Sequence, residues 1–437
     1  MLNRWFKLSE HNTNIRTELL AGITTFLTMA YIVVVNPVIL ADAGVPFEAV
    51  FMATIIATVV GTLWMAVFAN YPIAVAPGMG LNAYFAYSVV GGNDQIGYEV
   101  AFGAVFVSGI IFIILSLTPF REKLIEAIPS NLKYGITAGI GLFIAFIGFR
   151  MSGIIVAHPE NLVALGDLQS APVLLTLTGL AVMITLMALR INSALFIGMV
   201  VTGIIAYFTG ALSFEGGVAA APPSPEWFIF GSPLDAFADV ISYGLYAVVF
   251  SFLLVTIFDT TGTMIGVAEQ AGLIKDNKMP RVRQALLSDA VAKTVGSIFG
   301  TSPTSAYIES SSGVAAGGRT GLTTVAVALL FILTMFLAPV VNAVSGIPAI
   351  TSPVLIIVGS LMLGSVAHIK WNEFDEAFPA FLVILSMPLT SSIATGIAFG
   401  FISHPLLKVV SGKGKTVHPL VYIFAVLFIF QLIYLPH

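Results

Sequence analysis

Runs of about 20 mostly apolar residues recur along almost the whole chain, and each is long enough to cross a bilayer as a helix. They lie near 19–40, 47–69, 97–118, 132–150, 172–190 and 193–212, and again near 237–268, 282–299, 320–342, 348–366, 376–388, 390–408 and 417–436. Composition agrees. Only 9% of the 437 residues are charged, against ~25% in a soluble domain. A water-facing surface of that size has too few charges to cover it, so lipid is the solvent for much of the chain. The formal net charge of −4 says little, because placement matters more than the sum. No basic run suggests nucleic acid. The absence of cysteine excludes disulfides and cysteine-bound metal. Met1 to Glu18 shows no cleavable signal pattern, so the first apolar run reads as a true span.

Lys and Arg mark the cytoplasmic side of a membrane protein. Arg4, Lys7 and Arg16 precede the first run. Arg121, Lys123 and Lys133 cluster together, and Arg190 sits in a tight turn. Lys275, Lys278, Arg281 and Arg283 form the most basic loop, followed by Arg319, Lys370, Lys408, Lys413 and Lys415. The alternate loops, around 41–46, 91–99, 151–171, 213–236 and 342–348, carry none. The alternation holds if the Gly-, Pro- and Ser-rich stretches 72–91 and 302–317 each count as one pass. It then predicts fourteen passes up to about residue 410, a cytoplasmic N-terminus and an inner-membrane location. The run 417–436 falls outside that count, as an extra span or a surface-lying helix. The loop 213–236, with Gly216, Gly217, Pro222, Pro223 and Pro225, divides the chain into repeats 1–225 and 226–437. Seven passes per half invert the second repeat, an architecture recurrent among transporters.

The two irregular stretches carry the chemistry. Pro77, Gly78 and Gly80 in the first, and Gly300 and Pro303 in the second, oppose a continuous helix. Ala74–Val75–Ala76 reads as extended. Irregular backbone at membrane depth is tolerated where it is buried in protein or lines a cavity. Two half-helices meeting there make a binding site; the alternative is a pair of structural kinks. Asp259 lies deep in an apolar stretch and Glu309 in the second broken segment. An ionisable residue inside a span usually faces a pathway or a partner, and either acid is able to carry a coupling proton. Asn82, Ala83 and Tyr84 open the first half-helix, and Tyr307 holds the matching place in the second. Asn82 is suited to a heterocycle edge or to an N-cap; the two tyrosines, to stacking on a flat ligand or to ordinary packing. Asp289 and Lys293, spaced i, i+4, read as an intrahelical ion pair. The six histidines lack ligand spacing, and no P-loop, metal or cofactor signature or Ser-His-Asp set is present. The site residues thus exclude a self-contained ATPase and give no support to a membrane enzyme. An energy source for uptake must be an ion: a proton on Asp259 or Glu309, or sodium held by Thr260, Thr261 and Thr263 beside Asp259.

TELLAGITTFLTMAYIVVVNP (17–37), APGMGLNAYFAY (76–87), FDTTGTMIGVAEQAG (258–272) and GTSPTSAYIESSSGVAAGGRTGLT (300–323) together resemble the nucleobase–cation symporter 2 superfamily. The likeness is closer to its adenine/guanine/hypoxanthine permease branch and covers essentially the whole chain. The resemblance implies an all-α polytopic fold of fourteen spans in two inverted sets of seven. Spans 3 and 10 are then half-helices preceded by short strands. It implies a core domain, about 17–118 plus 237–342, and a gate domain, about 131–212 plus 348–437. The family's acid on span 8 falls on Asp259 and its acid or amide on span 10 on Glu309. The polar position opening span 3 falls on Asn82, and aromatic neighbours of the base fall on Tyr84 and Tyr307. Uracil-transporting relatives carry Glu and His on span 8; Asp259 and Thr263 stand there here, which suits the purine branch. The expectation is proton-coupled uptake of a purine, hypoxanthine or guanine before adenine, with a homodimer compatible with the resemblance. The competing expectation is an inorganic-anion exchanger or channel of the same fold, which two acids at the site oppose.

Overall fold

The computed structural model describes residues 2–92, 96–118, 127–214, 217–274 and 279–434. Arg121, Lys123, Lys275, Lys278 and Gly216, read above for orientation and repeat boundary, lie outside the described residues. Among the described residues the fold is helical. Nine stretches, from Ile15–Ala41 to Ile393–Val410, are long and apolar enough to cross a membrane.

In the first half a short α1 (Leu2–Phe6) leads into α2 (Ile15–Met29) and α3 (Ile32–Ala41). Asn14 caps α2 through the Thr17 N–H at 3.0 Å. The first apolar run is therefore two helices. At their joint the turn tightens to i→i−3 bonds, Val33 N–H to the Ala30 carbonyl and Val34 N–H to that of Tyr31. α4 (Phe47–Trp64) ends in a π-helical turn, and the chain reverses at Asn70. Next come β1 (Val75–Pro77) and α5 (Met79–Ala83), which widens into π geometry through Tyr84–Val90. The half closes with α6 (Tyr98–Leu117), α7 (Ser130–Met151), the hairpin β2 (Ile155–His158) and β3 (Leu162–Leu165), α8 (Ala171–Ala188) and α9 (Ala194–Phe208).

The second half runs α10 (Pro233–Ser242), α11 (Tyr246–Gln270), α12 (Val282–Phe299), β4 (Thr304–Ala306) and α13 (Ser310–Ala315). Then follow α14 (Gly321–Thr334), α15 (Ala338–Ser345), α16 (Pro348–Leu363), α17 (Phe374–Thr390), α18 (Ile393–Val410) and α19 (Pro419–Tyr434). The expected single span 237–268 is interrupted between α10 and α11. Gly244, at φ 66°, lets the chain turn. Leu245 N–H reaches the Val240 carbonyl at 2.9 Å and Gly244 N–H that of Ile241 at 3.3 Å, the paired bonds of a Schellman stop. The stretch 417–436, ambiguous in sequence, is α19. It runs antiparallel to α18, from the cavity beside Lys408 to the one beside Phe399. Phe424 and Phe428 seat it against Phe250 and Phe401.

Helices pack as α4 and α6 on α12, α2 on α14, and α7 on α16 and α17. Gly61 permits the first of these. A Cβ there would lie 2.7 Å from that of Ala292 and 2.9 Å from Val75 Cγ1, so α4 lies directly on both α12 and β1. Glu18, fully buried in the first turn of α2, serves a different helix. Its carboxylate accepts the N–H groups of Arg319, Thr320 and Thr323 and the Thr323 hydroxyl, the last at 2.6 Å. A negative group thus sits on the positive end of α14 and satisfies donors that a helix start leaves open.

Asp289 and Lys293 of α12 are both fully buried. They act on one another electrostatically, as their spacing predicts, but their hydrogen bonds lead away from α12. Asp289 accepts the hydroxyls of Thr260 on α11 at 2.5 Å and Thr304 on β4 at 2.6 Å. Lys293 donates to the Thr256 hydroxyl at 3.0 Å and the Phe252 carbonyl at 3.3 Å, both on α11. The pair therefore fastens α12 to α11 and to the strand. Lys293→Met leaves a buried carboxylate without its cation and is expected to destabilise the protein by about 3–5 kcal/mol. Asp289→Asn added to it removes the orphaned charge and keeps an acceptor for the threonines. Thermal unfolding in detergent checks this: the double variant should melt above Lys293→Met, and an equal or lower midpoint would refute the charge-pair account.

Candidate functional site

The site is built where the two broken segments meet. β1 and β4 pair antiparallel, Val75 with Ala306, Ala76 with Ser305 and Pro77 with Thr304. Flanking bonds extend the ladder: Gly78 N–H to the Pro303 carbonyl and Tyr307 N–H to that of Ala74, each 3.0 Å. Hydroxyls complete the backbone accounting. The Thr62 hydroxyl meets the N–H and carbonyl of Val75 at 3.1 Å, and Ser310 Oγ accepts the Ala74 N–H at 3.0 Å. Every residue of both strands is buried. Two three-residue strands from different halves thus satisfy one another in the interior, and a half-helix follows each.

Strand alternation sorts the neighbouring acids, because successive side chains leave opposite faces. Thr304 turns to Asp289, whereas the hydroxyl of Ser305 lies beside the carboxylate of Asp259 from α11. Glu309, half-buried, stands at the N-cap position of α13. Its Oε1 accepts the Tyr31 hydroxyl at 2.5 Å, and its backbone carbonyl accepts the Thr28 hydroxyl at 3.4 Å. Asp259, Tyr307 and Glu309 are close enough to act on one another electrostatically. The two expected acids therefore share one locality, and both retain partial exposure.

Asn82 is fully buried in the first turn of α5, whose N-cap is Gly78, so the N-cap alternative for Asn82 does not hold. Its Oδ1 accepts the Ser302 hydroxyl, while its Nδ2 has no hydrogen-bond partner among the described residues. Ser302 also reaches Asn36 Oδ1 at 3.5 Å, and Asn36 Nδ2 donates to Thr54 and Thr301 at 2.6 and 2.8 Å. This polar net joins α3, α4, α5 and the turn between α12 and β4. Ala83 packs in the apolar core at 1% exposure. Tyr84 is equally buried, meets Phe252 edge-on at 5.0 Å and sets its hydroxyl beside that of Ser251. Tyr307 bonds the Pro77 carbonyl at 2.5 Å, clamping β4 to β1. The two tyrosines thus hold matched sequence positions but unequal surroundings.

Tyr31 and Ser305 were not singled out from sequence. Tyr31 bonds Glu309, and Ser305 lies beside Asp259. The one local signal for Tyr31 is a hydroxyl-bearing ring within an otherwise apolar FLTMAYIVVV run, two helical turns before Pro37.

A profile of the Permease family matches residues 16–399. The guanine/hypoxanthine permease PbuO of Bacillus subtilis (strain 168) is 66% identical over 428 residues, 98% of this chain and 99% of that protein. The adenine permease AdeP of Escherichia coli (strain K12) is 44% identical over 436 residues, 100% of this chain and 96% of that one. In overall fold the chain resembles the transmembrane domain of the cyanobacterial bicarbonate transporter BicA. The TM-score is 0.64 at 17% identity, over 87% of this chain and 97% of BicA's. Paired half-helices and full-length similarity point the same way: the chain is an all-α, multi-pass membrane protein and belongs to the Permease family.

Proposed function

We propose that this permease takes up purine nucleobases, guanine or hypoxanthine before adenine, and that protons drive it. The observation that carries the reading is Glu309 beside Asp259, both partly exposed, at the junction of two half-helices held by paired strands. The names of the relatives PbuO and AdeP support the purine class. Purines present ring N–H donors and ring-nitrogen acceptors on a flat edge. Glu309 accepts from ring N–H groups; Tyr31 holds Oε1, which leaves Oε2 for the ligand. The unspent Nδ2 of Asn82 offers a donor. Ala83 and the rings of Tyr84 and Tyr307 form the apolar surround. Inorganic-anion transport is the weaker reading, because two carboxylates repel an anion.

Transport in this reading proceeds by alternating access. Core (about 17–118 plus 237–342) moves against gate (about 131–212 plus 348–437), within fourteen spans formed by repeats 1–225 and 226–437. The N-terminus is cytoplasmic and the location the inner membrane. Contacts between the proposed bodies support a sealed outer side. Ser88 donates to the Ser391 carbonyl at 2.6 Å, and the Arg150 guanidinium lies 5.3 Å from the centre of the Tyr87 ring. The choice of proton over sodium is supported by Thr260, whose hydroxyl is engaged by Asp289 rather than offered beside Asp259.

Uptake of labelled hypoxanthine, guanine, adenine, xanthine and uracil into permease-deficient cells tests the substrate class. Purine uptake should exceed that of uracil, and Glu309→Ala should abolish it at unchanged membrane abundance. Uptake by that variant at the wild-type rate would remove Glu309 from the site. Tyr31→Phe deletes one hydrogen bond to a charged group and should raise KM about tenfold, with Glu309 still present. Unaltered kinetics would mean that Tyr31 does not orient the acid.

Coupling is tested separately. A protonophore should stop accumulation, and initial uptake should fall as external pH rises. Asp259→Asn should flatten that pH profile, because an amide keeps an acceptor but carries no proton. Sodium-dependent uptake indifferent to pH and protonophore would exclude proton coupling and leave the purine reading standing.

A further inference from the structure

A second polar locality lies far from the two acids along the chain. At the end of α18 that carries Lys408, a cavity of about 520 Å³ opens between α18, the first turn of α19 and the residues that precede α7. His404, Lys408, Lys415 and His418 line it, with one acid, Glu376.

The negative charge here is already spent. Glu376 pairs with Lys408 at 2.6 Å and accepts the Asn131 amide at 2.6 Å. Asp375 pairs with Lys408 at 3.0 Å and Lys413 at 2.9 Å. Lys415 has no ion pair among the described residues. His418 accepts the Leu420 N–H at Nδ1, so its proton resides on Nε2. His404 is 2% exposed, and its Nδ1 has no hydrogen-bond partner among the described residues. A buried polar atom left unpaired calls for an explanation, and His404 lines the cavity, where a ligand would pair it. The first turn of α19 adds the positive end of a helix. On the two helices that border the cavity, Leu406, Val409 and Val410 of α18 and Ile423 and Val426 of α19 are exposed apolar side chains, suited to face lipid. Lysines and histidines around a cavity at the edge of such a surface suit a phosphate whose acyl chains lie along the helices.

We propose that this cavity binds a phosphate group, supplied by the headgroup of an anionic phospholipid. Lys415 and His418 contact the phosphate, and Lys408 and His404 form its floor. The ligand ties the start of α19 to the end of α18 and thereby steadies the helix that the aromatic contacts of Phe424 and Phe428 seat. The site uses none of the residues assigned to substrate.

The purified full chain in neutral detergent is titrated with phosphatidylglycerol, phosphatidylcholine or inorganic phosphate, and the thermal unfolding midpoint is followed. Phosphatidylglycerol should raise the midpoint saturably and phosphatidylcholine should not. Lys415→Gln, an exposed change that leaves the packing intact, should require about fivefold more phosphatidylglycerol for half of the effect, and Lys415→Gln with His418→Gln more still. Inorganic phosphate giving the same lysine-dependent shift would uphold the phosphate site and reassign its source from lipid to a soluble anion. The proposal is overturned if neither phosphate source shifts the midpoint, or if the variants respond with wild-type midpoints at every concentration.

Discussion

Hydrocarbon offers no partner to a backbone N–H or C=O, and this constraint governs the centre of the molecule. Both halves of the chain leave helical geometry there. Each exposes three extended residues; Thr62 of the same half meets Val75 on the outer edge of β1, while the inner edges meet across the two halves. The β1–β4 ladder closes the account, with Thr62, Ser310 and Tyr307 supplying what the short ladder lacks. Once the strands are paired, the positions of α5 and α13 follow, because each begins within a few residues of a strand end. Gly61 then matters as the residue that lets α4 lie against β1 and α12 together.

The same short ladder separates two kinds of buried charge. Thr304 and Ser305 are adjacent in sequence yet face different acids. Asp289 is enclosed, saturated by two hydroxyls and accompanied by Lys293, so it behaves as part of the framework. Asp259 and Glu309 have no basic partner among their described hydrogen bonds and are partly exposed. Charge that is compensated holds helices together; charge that is left open is available to a ligand or a proton. Burial and partners both distinguish them: Asp289 is enclosed and paired, whereas Asp259 and Glu309 are neither.

Much of this was legible beforehand, and the reasons differ by residue. Pro77, Gly78, Gly300 and Pro303 announce broken helices because their backbone preferences are local. Asp259 and Glu309 stand out because an acid in apolar sequence is costly wherever it lies. Tyr31 was hidden because its partner is 278 residues away, and nothing local tells a tyrosine which acid it will meet. The Lys293 bonds were hidden likewise: i, i+4 spacing describes one helix, while Thr256 and Phe252 belong to another. The split at Gly244 escaped because the apolar run continues through the turn. The course of α19 depends on aromatic contacts that only the folded chain creates.

The ladder also has a consequence for assembly in time. Tyr307 and the Pro77 carbonyl it clamps are 230 residues apart. At ~5–20 residues per second of synthesis, β1 exists for on the order of ten seconds or more before β4 is made. Throughout that interval the first half enters the bilayer with an unpaired strand edge at its centre. The Ala74 carbonyl and the Gly78 N–H, which bond the β4 segment in the folded protein, therefore need a provisional hydrogen-bond partner until their counterpart arrives.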